Sequence, residues 1–233
     1  MSRTTWSVVI VLLGASLAGA GLTSAGPAER EVTFVTSDGI RIAATLFGRG
    51  ATGVVLAHMR GGSRDNWFPF ARSLVREGYA VLTVDFRGHG KSGGPFDSNR
   101  LDRDVGAASV FLRGQGAQRV ALIGASMGGT ASIKVAAAGD AAALAVISSP
   151  MDYGAKVTKA DLARITIPSL WIASAQDEPY ASTVRGMYAS VRGVKTLRIY
   201  PGGEHGTQLF DSPYRADFTL RLLTFLRTSV PAR

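Results

Sequence analysis

The chain has 233 residues and ordinary apolar and aromatic content, which excludes a disordered polymer and suits one domain with a sizeable core. Its formal charge is +9, yet the basic residues (21 of 26 are arginine) are scattered without a run of five, which speaks for a solvated surface and against a nucleic-acid partner. With no cysteine, the chain excludes disulfides, thiol catalysis, cysteine-ligated metals and a lipidated N-terminal cysteine.

Arg3, the uncharged apolar stretch Ser7 to Leu22 and the small residues Thr23-Ser24-Ala25 read as a cleaved secretory signal over residues 1–25. The rival reading is an uncleaved N-terminal anchor, the one route by which this chain would touch a membrane. Residues 26–233 are then one domain, expected to be secreted or held in the periplasm or cell envelope.

Glu31–Thr36 and Ile40–Phe47 are strand-like, and Ser37-Asp38-Gly39 between them signals a hairpin. The continuous apolar run Gly53–Ala57 reads as a central buried strand ending in the loop His58–Gly62. Trp67, Phe70, Ala71, Leu74 and Val75 recur at helical spacing, and Gly78 stops that helix before the strand Tyr79–Val84.

Asp85 to Gly93 is a glycine-rich loop with two decoys. Gly88, Gly90 and Gly93 satisfy G-x-G-x-x-G, but Gly94-Pro95 follow where a dinucleotide fold starts a helix. Gly90-Lys91-Ser92 resembles the end of a phosphate loop, but Asp85 stands where the earlier glycine is required. No nucleotide site is expected.

A helix over Leu101–Leu112 leads to the strand Val120–Ile123, the pentapeptide Gly124-Ala125-Ser126-Met127-Gly128 and a small-residue helix to about Ala138. Strand, G-x-S-x-G and helix together form the setting of a nucleophile elbow, in which Ser126 is strained and exposed. Side chains at 124 and 128 would collide there. Further strands are expected at Leu144–Ile147, Ser169–Ala173 and Thr196–Tyr200, with a short polar connection over 151–167. Helices are expected around Val184–Val191 and Tyr214–Phe225. Alternating strands and helices imply a mostly parallel, doubly covered sheet with an antiparallel N-terminal hairpin.

In such a sheet the reactive groups gather where loops leave the carboxyl ends of the strands. Those loops carry His58, Ser126, Asp177 and His205. A serine hydroxyl needs a base to take its proton, and the base needs a carboxylate to hold its tautomer. Here the order along the chain is Ser126, Asp177, His205.

With these segments in that order, the sequence from about residue 31 resembles the α/β-hydrolase superfamily, closest to small, nearly capless members of the dienelactone hydrolase and esterase type. The resemblance implies an α/β-hydrolase fold with Ser126 as nucleophile, His205 as base and Asp177 as orienting acid. Asp152 competes with Asp177, because some members place the acid after the preceding strand. The same pattern gives His58 a structural role. It places the oxyanion hole at the amides of Met127 and Arg60, with the Met59 amide as a second reading, since Met59 replaces the family's glycine.

Met59, Trp67 and Tyr180 are expected to line the substrate pocket, and Phe68, Met127 and Met151 are equally compatible with pocket or core. The short stretch between Ser148 and Ser169 leaves room for a minimal cap, hence an open site for a small or surface-presented acyl substrate. The reaction expected is hydrolysis of carboxylic esters or thioesters through an acyl-enzyme. Acyl transfer, peptide hydrolysis and a non-catalytic envelope binding protein are the alternatives. No cofactor or metal is implied, and the sequence does not set the oligomeric state.

Overall fold

The computed structural model describes residues 29–233, so the expected signal over 1–25 lies outside the described residues. The strands are β1 (Glu29–Val35), β2 (Arg41–Phe47), β3 (Thr52–Ala57), β4 (Ala80–Val84), β5 (Arg119–Ala125), β6 (Ala143–Ile147), β7 (Ser169–Ser174) and β8 (Lys195–Tyr200). The helices are α1 (Phe68–Arg76), α2 (Leu101–Gly114), α3 (Met127–Ala137), α4 (Lys159–Arg164), α5 (Tyr180–Ser190) and α6 (Arg215–Ser229). The strands form one sheet in the order β1-β2-β4-β3-β5-β6-β7-β8. β1 and β2 are antiparallel to their neighbours, and every pairing from β4 to β8 is parallel. This is the doubly covered sheet and antiparallel hairpin that the hydrophobic pattern predicts.

The central strands are apolar throughout because both their faces are covered. Along β5, Val120 and Leu122 enter the core under α2 and α3, while Ala121, Ile123 and Ala125 face the core under α1 and α6. The β1–β2 turn closes through Thr36 and Ile40, with Gly39 at φ +82°, a left-handed value that suits glycine. Trp67 belongs to a 3-10 turn over Arg64–Trp67 that precedes α1, rather than to the helix itself.

A buried ionic knot fastens the hairpin to the sheet. Arg87, in the loop after β4, donates to Asp104 of α2 at 2.6 Å and to Asp38 of the hairpin turn at 2.8 Å. The guanidinium and a hydroxyl of Thr36 hold the Asp38 carboxyl far below its ordinary range, whereas burial pushes that of Asp104 up.

At the opposite end of the sheet from the strand-end loops, the Pro231 carbonyl accepts from Thr52 at 2.8 Å and from Arg119 at 2.9 Å. Glu29 pairs with Phe47, which in turn pairs with Val81 near the start of β4. The first described residue and the C-terminus therefore share that end.

Candidate active site

Ser126 sits between β5 and α3 at φ 53° and ψ −119°, a conformation that an L-residue adopts only when its surroundings impose it. The imposing contacts are short. The Ser126 amide is anchored on the Ile147 carbonyl at 2.8 Å. A Cβ on Gly124 would strike the Gly128 backbone, and one on Gly128 would strike Ala57 and His58. A Cβ on Gly129 would meet the Ser149 hydroxyl. These glycines let the start of α3 rest on the ends of β3 and β5.

The loop after β7 supplies Asp177 and the loop after β8 supplies His205. His205 Nδ1 lies 2.9 and 3.0 Å from the two carboxylate oxygens of Asp177. With its Nδ1–H donated to Asp177, the imidazole leaves the Nε2 lone pair free to accept a proton. The Tyr180 ring at the start of α5 packs on the imidazole with centroids 4.3 Å apart. The His205 backbone N–H donates to Gln208 Oε1 at 2.8 Å, which fixes the turn that carries the ring. His205 and Gln208 have the spacing of a capping box without its Ser or Thr, so sequence reading missed this support.

Gly206, next to His205, brings its backbone against Ala125, next to Ser126. A Cβ there would come within 3.3 Å of the Ala125 Cβ and 2.9 Å of Met59 Sδ. The loops after β3, β5, β7 and β8 thus meet around Ser126. No hydrogen bond joins Ser126 to His205 in this structure. Such contacts commonly tighten only when substrate is bound.

His58 is fully buried. Its Nε2 accepts from the Phe86 amide at 3.1 Å and its Nδ1 faces the Met59 carbonyl at 2.8 Å, so both ring nitrogens are held by backbone. Burial lowers its pKa to about 4, keeping the ring neutral. Asp85 ties the same two loops together by accepting from the amides of Arg64 and Lys91 at 3.0 and 3.1 Å. Among the described residues, the amides of Met59, Arg60 and Met127 have no protein acceptor, and that of Met127 opens α3, where the helix dipole favours negative charge.

Arg60 itself is exposed, in a shallow cleft of about 220 Å³ with Phe96, Ser98 and Tyr153. Asp152 is exposed too and accepts from the Gly154 amide at 3.2 Å, so the carboxylate brought to His205 is that of Asp177. Met59 is half-buried beside Gly206 and Thr207, and Tyr180 stands at the imidazole, both within the site.

Trp67 is a correction. It is fully buried between Phe70 and Phe210 in the core under α1 and α6, where it lines no substrate pocket. Phe68 packs on Phe47 in the same core, and the Met127 side chain is buried on the other face. Among the described residues, no cluster of three or more His, Asp or Glu side chains is placed to hold a metal ion.

Comparison with known proteins identifies the fold. The chain superposes on an esterase from Pyrococcus furiosus with a TM-score of 0.75, at 21% identity over 87% of this chain and 93% of that one. It superposes on a dienelactone hydrolase from Anabaena variabilis with a TM-score of 0.72, at 23% identity over 88% of this chain and 99% of that one. At these identities the likeness establishes the fold.

A dihydrolipoyllysine-residue acetyltransferase component of an acetoin cleaving system from Cupriavidus necator is 31% identical over 122 residues, 52% of this chain and 32% of that protein. This chain therefore matches about a third of that relative's length. The sequence also matches the family described as "Alpha/beta hydrolase family" over residues 54–218. That span runs from β3 into α6 and includes the elbow and the loops bearing Asp177 and His205, and with it the chain belongs to the alpha/beta hydrolase family.

Proposed function

We propose that this protein is a serine hydrolase that cleaves carboxylic esters through an acyl-enzyme. The observation that carries the reading is the His205–Asp177 pair, held by two strand-end loops and packed through Gly206 against the strained Ser126 turn. Ser126 Oγ attacks the ester carbonyl while His205 Nε2 takes its proton. The amide of Met127 and an amide of the Met59–Arg60 segment hold the oxygen as it becomes negative. As the intermediate collapses, His205 returns the proton to the departing alcohol oxygen. Water, deprotonated by the same nitrogen, then attacks the acyl-enzyme, and the carboxylic acid leaves with Ser126 restored. Asp177 keeps His205 in the required tautomer and stabilises its charge in both halves.

A fluorophosphonate probe and nitrophenyl esters test this directly. The wild-type protein should be labelled and should turn over short esters, and Ser126→Ala and His205→Ala should abolish both. Asp177→Asn should lower kcat by about 10^4-fold, while Asp152→Asn should stay at the wild-type level. A folded wild type that neither labels nor turns over would instead be a binding scaffold.

The acetyltransferase relative favours transfer to an acceptor other than water as a second reading. Products formed with an added alcohol would separate the two: a new ester indicates transfer, and free acid alone indicates hydrolysis. Export through residues 1–25 is also proposed, and N-terminal sequencing of protein recovered outside the cytoplasm would locate the cleavage.

A further inference from the structure

A second cavity, of about 420 Å³, lies beside the candidate site, between the 3-10 turn over 64–67 with the start of α1 and the turn over 206–211 with the start of α6. It begins at Met59, one residue before Arg60 in the strand-end loop, and at Thr207, two residues after His205. The Thr207 hydroxyl donates to Met59 Sδ at 3.6 Å, and the same sulfur lies against Gly206, so a flexible thioether links this cavity to the turn that carries His205. Its floor is apolar, formed by Phe70, Phe210 and Pro69.

The exposed rim carries both donors and acceptors, two of them held in place. Asn66 Oδ1 is engaged by the Ser63 amide at 2.8 Å and Gln208 Oε1 by the His205 amide at 2.8 Å. Each side chain is thereby oriented with its NH2 group left to donate. Arg215 adds a guanidinium without a carboxylate partner among the described residues, and Asp65, 3.8 Å from the Arg64 guanidinium, and Asp211 add acceptors. An anionic group would face two carboxylates, a cationic group would face Arg215, and an alkyl chain would make no use of the oriented amides. A neutral group whose hydroxyls both donate and accept, and whose carbon face rests on Phe70 and Phe210, satisfies all of them.

We propose that this cavity is the alcohol-side subsite and takes a neutral, hydroxyl-rich leaving group, such as glycerol or a sugar. The inference rests on the serine hydrolase reading above. The alcohol side follows from the turn: Thr207, Gln208 and Phe210, which line the cavity, belong to the segment that carries His205, the group that returns a proton to the departing oxygen.

The test holds the acyl group constant. Ethyl acetate, glycerol monoacetate and a mono-acetylated methyl glucoside have leaving groups of similar chemistry and differ in their hydroxyls. We expect kcat/KM for one or both polyol acetates to exceed that for ethyl acetate by about tenfold or more, as two hydrogen bonds would give. Arg215→Ala and the cavity-filling Ser73→Phe, each checked for a wild-type melting temperature, should shrink that ratio. A preference for the glycerol ester alone, or for the sugar ester alone, identifies the source while supporting the subsite. Equal kcat/KM on all three acetates, or a preference that both variants leave intact, overturns the subsite while the hydrolase stands. Undiminished acetate turnover by Ser126→Ala would overturn the hydrolase reading instead.

Discussion

Trp67 and His58 are both fully buried, and what each contributes follows from its contacts rather than its type. The Trp67 ring fills space between Phe70 and Phe210, and its indole N–H has no partner. Trp67→Ala should cost about 3–5 kcal/mol in a denaturant titration, whereas Trp67→Phe, which removes the unpaired N–H, should cost markedly less. Neither should change the ester chain-length profile, as a pocket wall would. Helical spacing of aromatics is the same for a core and for a pocket, which is why the sequence could not place Trp67. Asp177 was preferred to Asp152 on the resemblance alone, because both follow strands. The contact with His205 separates them.

His58 makes a pH prediction. Its pKa falls from about 6.5 in an unfolded chain to about 4 in the fold, so the unfolded state binds the extra proton between those values. The stability that the neutral ring secures is complete above pH 6.5 and is lost as pH falls toward 4, on the order of 3 kcal/mol. Unfolding free energy measured from pH 7 to pH 4 should therefore fall more steeply for the wild type than for His58→Gln. The Asp38–Arg87 pair acts lower down. Its carboxylate is held well below the ordinary value, so its stability is present above about pH 4 and lost only below that.

At the scale of elements, the strand–elbow–helix unit of β5 and α3 was the most legible part of the chain. Its apolar run, glycines and small-residue helix all serve one requirement, a backbone approach too close for side chains. Gly128→Ala should consequently cost about 2–4 kcal/mol and remove ester turnover, since a Cβ there meets the carbonyl groups of Ala57 and His58 and has nowhere to go. Thermal melting and activity read the two effects separately. The strands were legible to within about two residues, those from β3 to β7 because burial on both faces leaves continuous apolar runs. The 3-10 turns over 64–67 and 206–211 were not. They are too short to show a hydrophobic period, and their caps, Asn66 on Ser63 and Gln208 on His205, are polar contacts three residues apart. The cavity between them escaped sequence reading because it joins segments about 140 residues apart.

For the molecule as a whole, the connection between β6 and β7 governs access. It spans residues 148–168 and contains only the short α4, with Val157 and Leu162 buried against the sheet's helical layer. The connection is pinned to the body by these two side chains, and Ser126, expected from the sequence to be exposed, is buried at 4% exposure. Among nitrophenyl esters, turnover should peak at the short acyl chains and decline steeply toward palmitate, with no gain when a long ester passes into micelles. A maximum at palmitate would mean that this stretch opens a deep acyl channel.

The two ends of the described chain share one further consequence. Because Glu29 and Pro231 lie at the end of the sheet opposite the strand-end loops, the chain enters the described fold and leaves it on the far side of the body from Ser126, and a group fused to the C-terminus is held there. Protein immobilised through a C-terminal tag should keep the kcat/KM of the free protein, its mouth turned outward from the support.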